Sequence, residues 1–336
     1  MITNECENSP CQDIFKSWNC SELCKSLDAD FLREIKIYYT NNQLIVIENP
    51  KRFTNRRKPA EFKSIDEPCD PNLFNFMKIK KSEVLLTVDK HGYTNNCITF
   101  PSDNTGESVI AYNAAPILFK HCIIIPQITR MHNQTIDQGG LQVALQFLLR
   151  HRNCRHRPLM IFNSTLAHAS VNHQHFHFVY LNQDDNNLNI IPFIFNEDIY
   201  NKKAGWIYNR NYGHIMLINE QQLYDGEEFN VLISQIEKIC DRLKLQTLSY
   251  NMAAIIIQKN HDRYLRCFIW PRIPLLGQKL DDSSRIPIAA LELCGIIVVR
   301  AFKAFDETKL FQQTKEETTQ VSDILTKTIP DLLENI

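Results

Sequence analysis

A chain of 336 residues with 44% hydrophobic side chains has room for one large domain or two modest ones around a sizeable core. Its 37 basic and 38 acidic side chains leave a formal net charge of -1, so nothing pulls the chain generally toward nucleic acid or an anionic membrane, and any phosphate binding has to be local. The N-terminus has neither the basic start nor the apolar run of a secretory signal, and no stretch is long enough to span a bilayer; the expectation is a soluble, cytoplasmic protein with no membrane partner.

Residues 1–90 read as an extended segment wrapped on a core, because "NRRKPAEFKSIDEPCDPNLFNFMKIKKSEVLL" is polar, proline-punctuated and without a helical or strand period. Residues 91–195 alternate strands and a helix. Ser108–Asn113 and His121–Pro126 are Ile- and Val-rich strands. A helix follows, with Thr135 and Gln138 as an expected capping box and Leu141, Ala144, Leu145 and Leu148 on one face. "LMIFN" then leads into "ASVNHQHFHFVYL".

Residues 196–305 repeat this order in diverged form. "HIMLIN" (His214–Asn219) resembles "HCIIIP"; a helix over Glu228–Leu245 carries Leu232, Ile236, Ile239 and Leu243 at helical spacing; "SYNMAAIII" and "RCFIWPR" take the places of "MIFNS" and the histidine strand. The fold class expected is therefore α/β (α+β), two diverged halves facing each other, with a peripheral helix and tail over residues 306–336. Eleven cysteines, an odd number with no metal-knuckle or redox spacing, read as reduced thiols.

Three of the chain's 11 histidines, His173, His175 and His177, stand at alternate positions. In an extended strand they share a face with Val179, roughly 7 Å apart, while Gln174, Phe176, Phe178 and Tyr180 face the core. Three readings follow. A metal site suits imidazole, but collinear ligands on one strand converge poorly on a tetrahedral ion and no carboxylate or cysteine interleaves them, so no metal and no cofactor is expected. Solvated or backbone-bonded histidines form a second reading. The third is covalent phosphorus chemistry, in which the central, neutral imidazole of His175 attacks a phosphate ester while its neighbours orient it and manage the leaving group.

The pattern "NHQHFHFVYL" resembles the His-X-His-X-His element of the histidine-triad superfamily, and the wider chain resembles its GDP-hexose phosphorylase branch. "RRKPAEF" and "CDPNLFNFMK" follow the branch's Arg-Arg-X-Pro and Phe-Asp-Pro-X-X-Phe-Asn-Phe-X-Lys segments, with Cys69 in place of the first Phe. "NAAPILFKHCIIIP", "FNSTLAHASVNH", "YNMA", "CFIWPR" and "AALELCGIIVV" extend the likeness over residues of about 50 to 300. The resemblance implies histidine-triad-like antiparallel sheets with packed helices. It also implies transfer from GDP-glucose to phosphate through a guanylyl group on His175.

In that scheme His177 hydrogen-bonds the transferring phosphoryl group or leaving oxygen, and His173 fixes the strand and the nucleophile's tautomer. Asn163, with Ser164 and Asn172 of the same elements, is placed at the substrate. The partners implied are GDP-hexose and inorganic phosphate; the sequence leaves a homodimer open. Four family glycines are replaced by Lys120, Ile161, Leu166 and Ala167, in a chain with only 9 glycines. Close backbone approach to phosphate favours glycine, so an active phosphorylase and a homologue that binds a guanine nucleotide or protein partner without turnover both stay open.

Overall fold

The computed structural model describes residues 34–41, 44–55, 60–95, 106–154, 156–183, 188–189, 205–209, 213–219, 226–259, 262–276 and 287–313, with Ile14, Lys16 and Glu316. Most of the expected tail, Arg56 and Arg57 of the Arg-Arg-X-Pro segment, and the boundary set at residues 195 and 196 lie outside them. The first elements are β1 (Lys36–Tyr39), β2 (Ile45–Glu48) and the short helix α1 (Pro50–Asn55). Next come β3 (Val84–Val88), β4 (Thr94–Asn95), β5 (Ser108–Tyr112) and β6 (Cys122–Ile125). Helix α2 (Gln138–Arg150), β7 (Pro158–Asn163) and β8 (Phe176–Tyr180) follow, then the short strands β9 (Asn182–Gln183) and β10 (Leu188–Asn189). The rest is β11 (Gly205–Asn209), β12 (Gly213–Asn219), α3 (Glu227–Leu245), β13 (Ser249–Lys259), β14 (Asp262–Arg272), α4 (Ala290–Leu293) and β15 (Ile296–Val299).

Ten strands form one sheet in the order β11-β12-β14-β13-β7-β8-β6-β5-β3-β4, every neighbour antiparallel. The order makes the repeat visible. Read outward from the central β7–β13 pair, one side runs β7, β8, β6, β5 and the other β13, β14, β12, β11, each with its long helix inserted at the same point of the chain. The expected fold class and its two halves are thus present. The halves do not face each other, however: they join edge to edge, with Ile161 opposite Ala253 in the middle of the shared pairing. The sheet also begins earlier than the expected boundary at residue 91, since β3 pairs with β5.

Each face of the sheet is covered differently. On one, α2 and α3 bury Leu141, Leu145, Leu148, Leu232, Ile236 and Leu243 against Phe176, Phe178, Tyr180, Tyr250 and Met252. Each such side chain removed from water contributes about 1.5–3 kcal/mol, which is why this aromatic face of β8 is the anchored one. On the other, a three-stranded sheet in the order β1-β2-β15 lies with α4 over Leu159, Ile161, Val179, Ala253, Phe268 and Trp270. Beside it, Phe76, Ile79 and Val171 cover Val109, Ala111, Ile123 and Ile125. Part of the expected wrapping segment therefore folds as a strand pair, with β2 parallel to the C-terminal β15.

Two local expectations are corrected. Helix α2 is capped by Asp137, whose carboxylate accepts from Gly140 N at 2.9 Å. Thr135 lies in a bend ahead of the helix that is held from outside: its carbonyl accepts from Gln174 Nε2 at 2.6 Å, and the Ile136 N–H donates to Tyr250 Oη at 2.7 Å. Cys154 is disulfide-bonded, contrary to the reading of all cysteines as reduced, whereas Cys69, Cys122, Cys240, Cys267 and Cys294 are in no disulfide. No helix among the described residues is long and apolar enough to cross a membrane.

Candidate active site

The site forms where β7 and β8 part. Their pairing runs from Pro158–Tyr180 to Ile161–His177 and stops. Continued in the same register, Phe162 would face Phe176 and Asn163 would face His175, and between the last two lies the side chain of Gln134. Its Oε1 accepts from His175 N at 2.9 Å, and its Nε2 donates to the carbonyls of Asn163 (2.9 Å) and His175 (3.2 Å). A side-chain amide thus substitutes for the missing strand neighbour, satisfying backbone groups that burial would otherwise leave at a cost of about 1–3 kcal/mol each.

The histidine row is consequently not collinear. Only His177 belongs to β8; His173 and His175 precede it in an irregular stretch. The neighbouring Gln174 points to the helix side, crossing α2 so closely that a Cβ on Gly140 would stand 2.0 Å from its Oε1. Glycine inside that helix costs roughly 0.5–1 kcal/mol against alanine, and the close passage of Gln174 is what requires it.

The hydrogen bonds assign the tautomer of each ring. His175 Nδ1 faces two acceptors, the His173 carbonyl at 2.8 Å and Gln134 Oε1 at 2.9 Å, so it carries the proton. Nε2 then keeps its lone pair. Burial pushes the His175 pKa down to about 4, so the ring is neutral near pH 7. His173 is buried behind it, accepting at Nδ1 from the Phe76 N–H at 3.1 Å, and burial holds its pKa at about 3. Phe76 packs its ring 4.9 Å from His175 and 5.5 Å from His173. The "CDPNLFNFMK" segment delivers it: Asn75 caps the turn over Phe76–Lys78 by accepting from Met77 N at 3.1 Å.

His177 is partly exposed, its ring 4.9 Å from that of His175. Its Nδ1 lies 3.1 Å from Nε2 of a fourth histidine, His121. The Ile117 N–H donates to His121 Nδ1 at 3.1 Å, so His121 bears its proton on Nε2 and gives it to His177. His177 is left with Nε2–H as a donor. Asn113 Nδ2 stands 3.4 Å from both imidazole nitrogens of this contact. Burial, and after it the neighbouring rings and Arg52, lower the His177 pKa well below the usual value; burial, then Arg52 and His175, do the same for His121.

A cleft opens over these rings, lined by His175, His177, Asn163, Asn113, Arg52 and Glu292 together with apolar side chains that include Ile161 and Phe76. Asn163 uses Oδ1 to accept from Asn251 Nδ2 (2.7 Å) and Ala290 N (2.9 Å), which leaves Nδ2 as its donor toward the cleft. The six residues expected at the site are therefore divided. His175, His177 and Asn163 line it, whereas His173, Ser164 and Asn172 do not. Ser164 is buried, its Oγ accepting from Tyr250 N at 2.9 Å. Asn172 spends its side chain on Gln134 N (2.9 Å) and the carbonyls of Glu67 and Pro68.

Gln134, His121 and Arg52 were not singled out from the sequence; each reaches the site from a separate element with no local spacing to mark it. Of the four residues that replace family glycines, Lys120 (φ 59°) and Leu166 (φ 61°) have the left-handed backbone that favours glycine, while Ile161 lies in β7 opposite His177. Two sites thus keep the glycine path with a bulkier residue, and one places an isoleucine against the cleft.

A model of the family described as "GDPGP1-like, N-terminal domain" matches residues 28–179, the stretch that ends on β8. That stretch of the chain is similar to this domain. It is similar to GDP-D-glucose phosphorylase 1 of Caenorhabditis elegans, 26% identical over 312 residues, covering 85% of this chain and 60% of that protein. The Danio rerio protein of the same name is 24% identical over 292 residues, 83% of this chain and 74% of its own length. GDP-L-galactose phosphorylase 2 of Arabidopsis thaliana is 33% identical over 134 residues, covering 38% of this chain and 31% of the plant protein. The chain thus spans less than two thirds of the nematode and plant relatives. Yeast Ap4A phosphorylase Apa2 in complex with AMP superposes with a TM-score of 0.52 at 15% identity over 94% of both chains, a likeness of fold alone. The resemblance read from the sequence, to the GDP-hexose phosphorylase branch, is borne out.

Proposed function

We propose that the chain is a nucleotidyltransferase, a GDP-hexose phosphorylase that converts GDP-glucose and phosphate to glucose 1-phosphate and GDP. The observation that carries this reading is the fixed tautomer of His175: two acceptors hold its Nδ1–H, so a neutral ring offers the Nε2 lone pair to the cleft. Nε2 attacks the α-phosphorus of GDP-glucose, a P–N bond forms, and the P–O bond to the hexose 1-phosphate breaks. The leaving group departs with the bonding electrons as a phosphate dianion. In the second half, a phosphate oxygen attacks the same phosphorus, the P–N pair returns to Nε2, and GDP leaves. His177 Nε2–H and Asn163 Nδ2 donate to the phosphoryl oxygens, where negative charge grows in the transition state. His121 and Gln134 act through the two rings as positioning residues.

The substrates are dissolved and anionic, which fits a cytoplasmic enzyme whose only cationic character is local. The replaced glycines motivate the second reading, nucleotide binding without turnover; against it, Lys120 and Leu166 retain the left-handed backbone. Incubation with GDP-glucose lacking phosphate separates the two. The expected result is a guanylyl mass on the His175 peptide and release of one equivalent of glucose 1-phosphate, with GDP appearing when phosphate is added. Label on another residue, or turnover by His175→Ala, refutes the assignment.

A further inference from the structure

Resting on that reading, the site has a charge deficit. GDP-glucose and phosphate are both anions, yet burial keeps His175 and His177 neutral, so neither ring offers a full positive charge. Among the described residues lining the cleft, Arg52 is the one Lys or Arg. Helix α1 carries it in from the N-terminal segment, and two bonds fix where it stands. The Arg52 N–H donates to Asn49 Oδ1 at 3.0 Å, while Asn49 Nδ2 is tied to the carbonyls of Pro116 (3.0 Å) and Ile117 (3.2 Å). Arg52 Nη1 donates to the Ala115 carbonyl. The guanidinium is thus held against the Ala114–Ile117 loop, beside the two imidazoles whose protonation it disfavours.

We infer that Arg52 is the anion-binding residue for the phosphate acceptor, and that the departing hexose 1-phosphate leaves from the same position. In-line displacement puts leaving group and nucleophile on the same line through phosphorus in the two half-reactions, so one cation serves both. A guanidinium suits the task because its planar fork matches phosphate oxygens and its charge persists at every working pH. Glu292, on α4, is the opposing carboxyl of the cleft. Burial raises its pKa to about 7, with Arg52 and Arg272 pulling the other way, so its charge balances Arg52 only in part near neutrality. The competing assignment makes Arg52 a purely structural cation that ties α1 to the Ala115 loop.

The guanylyl-enzyme has two exits, phosphate giving GDP and water giving GMP, and their ratio separates these roles. Arg52→Gln is expected to raise the phosphate concentration for half-maximal GDP release by about tenfold or more, and to shift the product ratio at fixed phosphate toward GMP by a similar factor. Arg52→Lys, which keeps the charge, should recover part of the GDP. A structural role slows both exits and leaves their ratio unchanged; that result, or an unaltered phosphate dependence, overturns the proposal. If the unsubstituted protein forms no guanylyl adduct, the parent reading fails instead. The ³¹P line width of inorganic phosphate then decides Arg52 by itself: broadening lost in Arg52→Gln supports the anion site, and equal broadening in both proteins refutes it.

Discussion

The two halves share a topology and differ in one strand pair. In the second half, β13 and β14 pair without a break from Ser249–Arg272 to Lys259–Asp262. The face that carries His177 and Val179 on β8 carries Phe268 and Trp270 on β14, stacked 5.3 Å apart at 4° and buried under the small sheet. In the first half the pairing of β7 with β8 ends at Ile161–His177, and Gln134 enters the gap. An unbroken hairpin gives a wall; an interrupted one gives backbone and imidazole groups oriented toward a cleft. The interruption, as much as the histidines, makes the site.

The largest test of this contrast is His177, the last residue still paired. If it serves as an oriented Nε2–H donor, His177→Ala should lower kcat by roughly a hundredfold, the scale of losing one transition-state donor. His177→Gln should keep much of the activity, because an amide accepts from His121 and donates to a phosphoryl oxygen as the ring does. Equal losses in the two variants would mean that proton delivery is essential. A next, smaller effect is expected at the interruption itself: Gln134→Ala should cost about 10- to 100-fold in guanylylation rate, the usual scale for a group that orients a reacting one. The corresponding readout is the His175 adduct rate in a single turnover, with thermal unfolding run alongside. A loss of stability with no loss of rate would reduce Gln134 to a packing role.

The sequence carried the strands β5 to β8 and β12 to β14, both long helices, the repeat and the three histidines, because each rests on a period or a spacing that one segment contains. It did not carry the gap. Extended alternation predicted one histidine row, and nothing near residues 173–177 announces that Gln134, some forty positions away, would hold the strand end apart. His121 and Arg52 were illegible for the same reason: their roles exist only once β6 and α1 are folded beside β8. Ser164 was expected at the substrate as part of the Asn-Ser element that the resemblance marks, but its side chain is buried and does not line the cleft, as successive residues of an extended chain point to opposite sides. Its hydroxyl closes the backbone between the halves instead.

Acid titration gives a third test, since the interrupted pair holds buried imidazoles. With the His175 pKa held down to about 4 by burial, the neutral nucleophile persists as pH falls, and protonation removes it only near that value. Guanylyl transfer in a single turnover should be level from about pH 8 to about pH 5, then drop roughly tenfold per unit below pH 4. A fall centred near the ordinary imidazole value, about 6.5, would show that the ring is solvated in the working state.

The smallest expected effect comes from the other half, where a change should alter stability and nothing else. Helix α3 ends in a left-handed residue, Thr247 (φ 57°), with Thr247 N bonded to the Lys244 carbonyl at 2.8 Å and Leu248 N to the Leu243 carbonyl at 2.9 Å. This is the helix ending that glycine serves best, and a β-branched residue there is strained. Thr247 is exposed, so its replacement sacrifices little packing. Thr247→Gly should stabilise the fold by about 1 kcal/mol, less the extra chain entropy that glycine brings to the unfolded state, and so raise Tm by about 2 °C at most. kcat and the phosphate dependence should not change, because Thr247 stands exposed at the end of α3 and does not line the cleft. If turnover shifted with Tm, the second half would be coupled to the cleft through the β7–β13 pair, and the picture of one working half beside an inert wall would have to be given up.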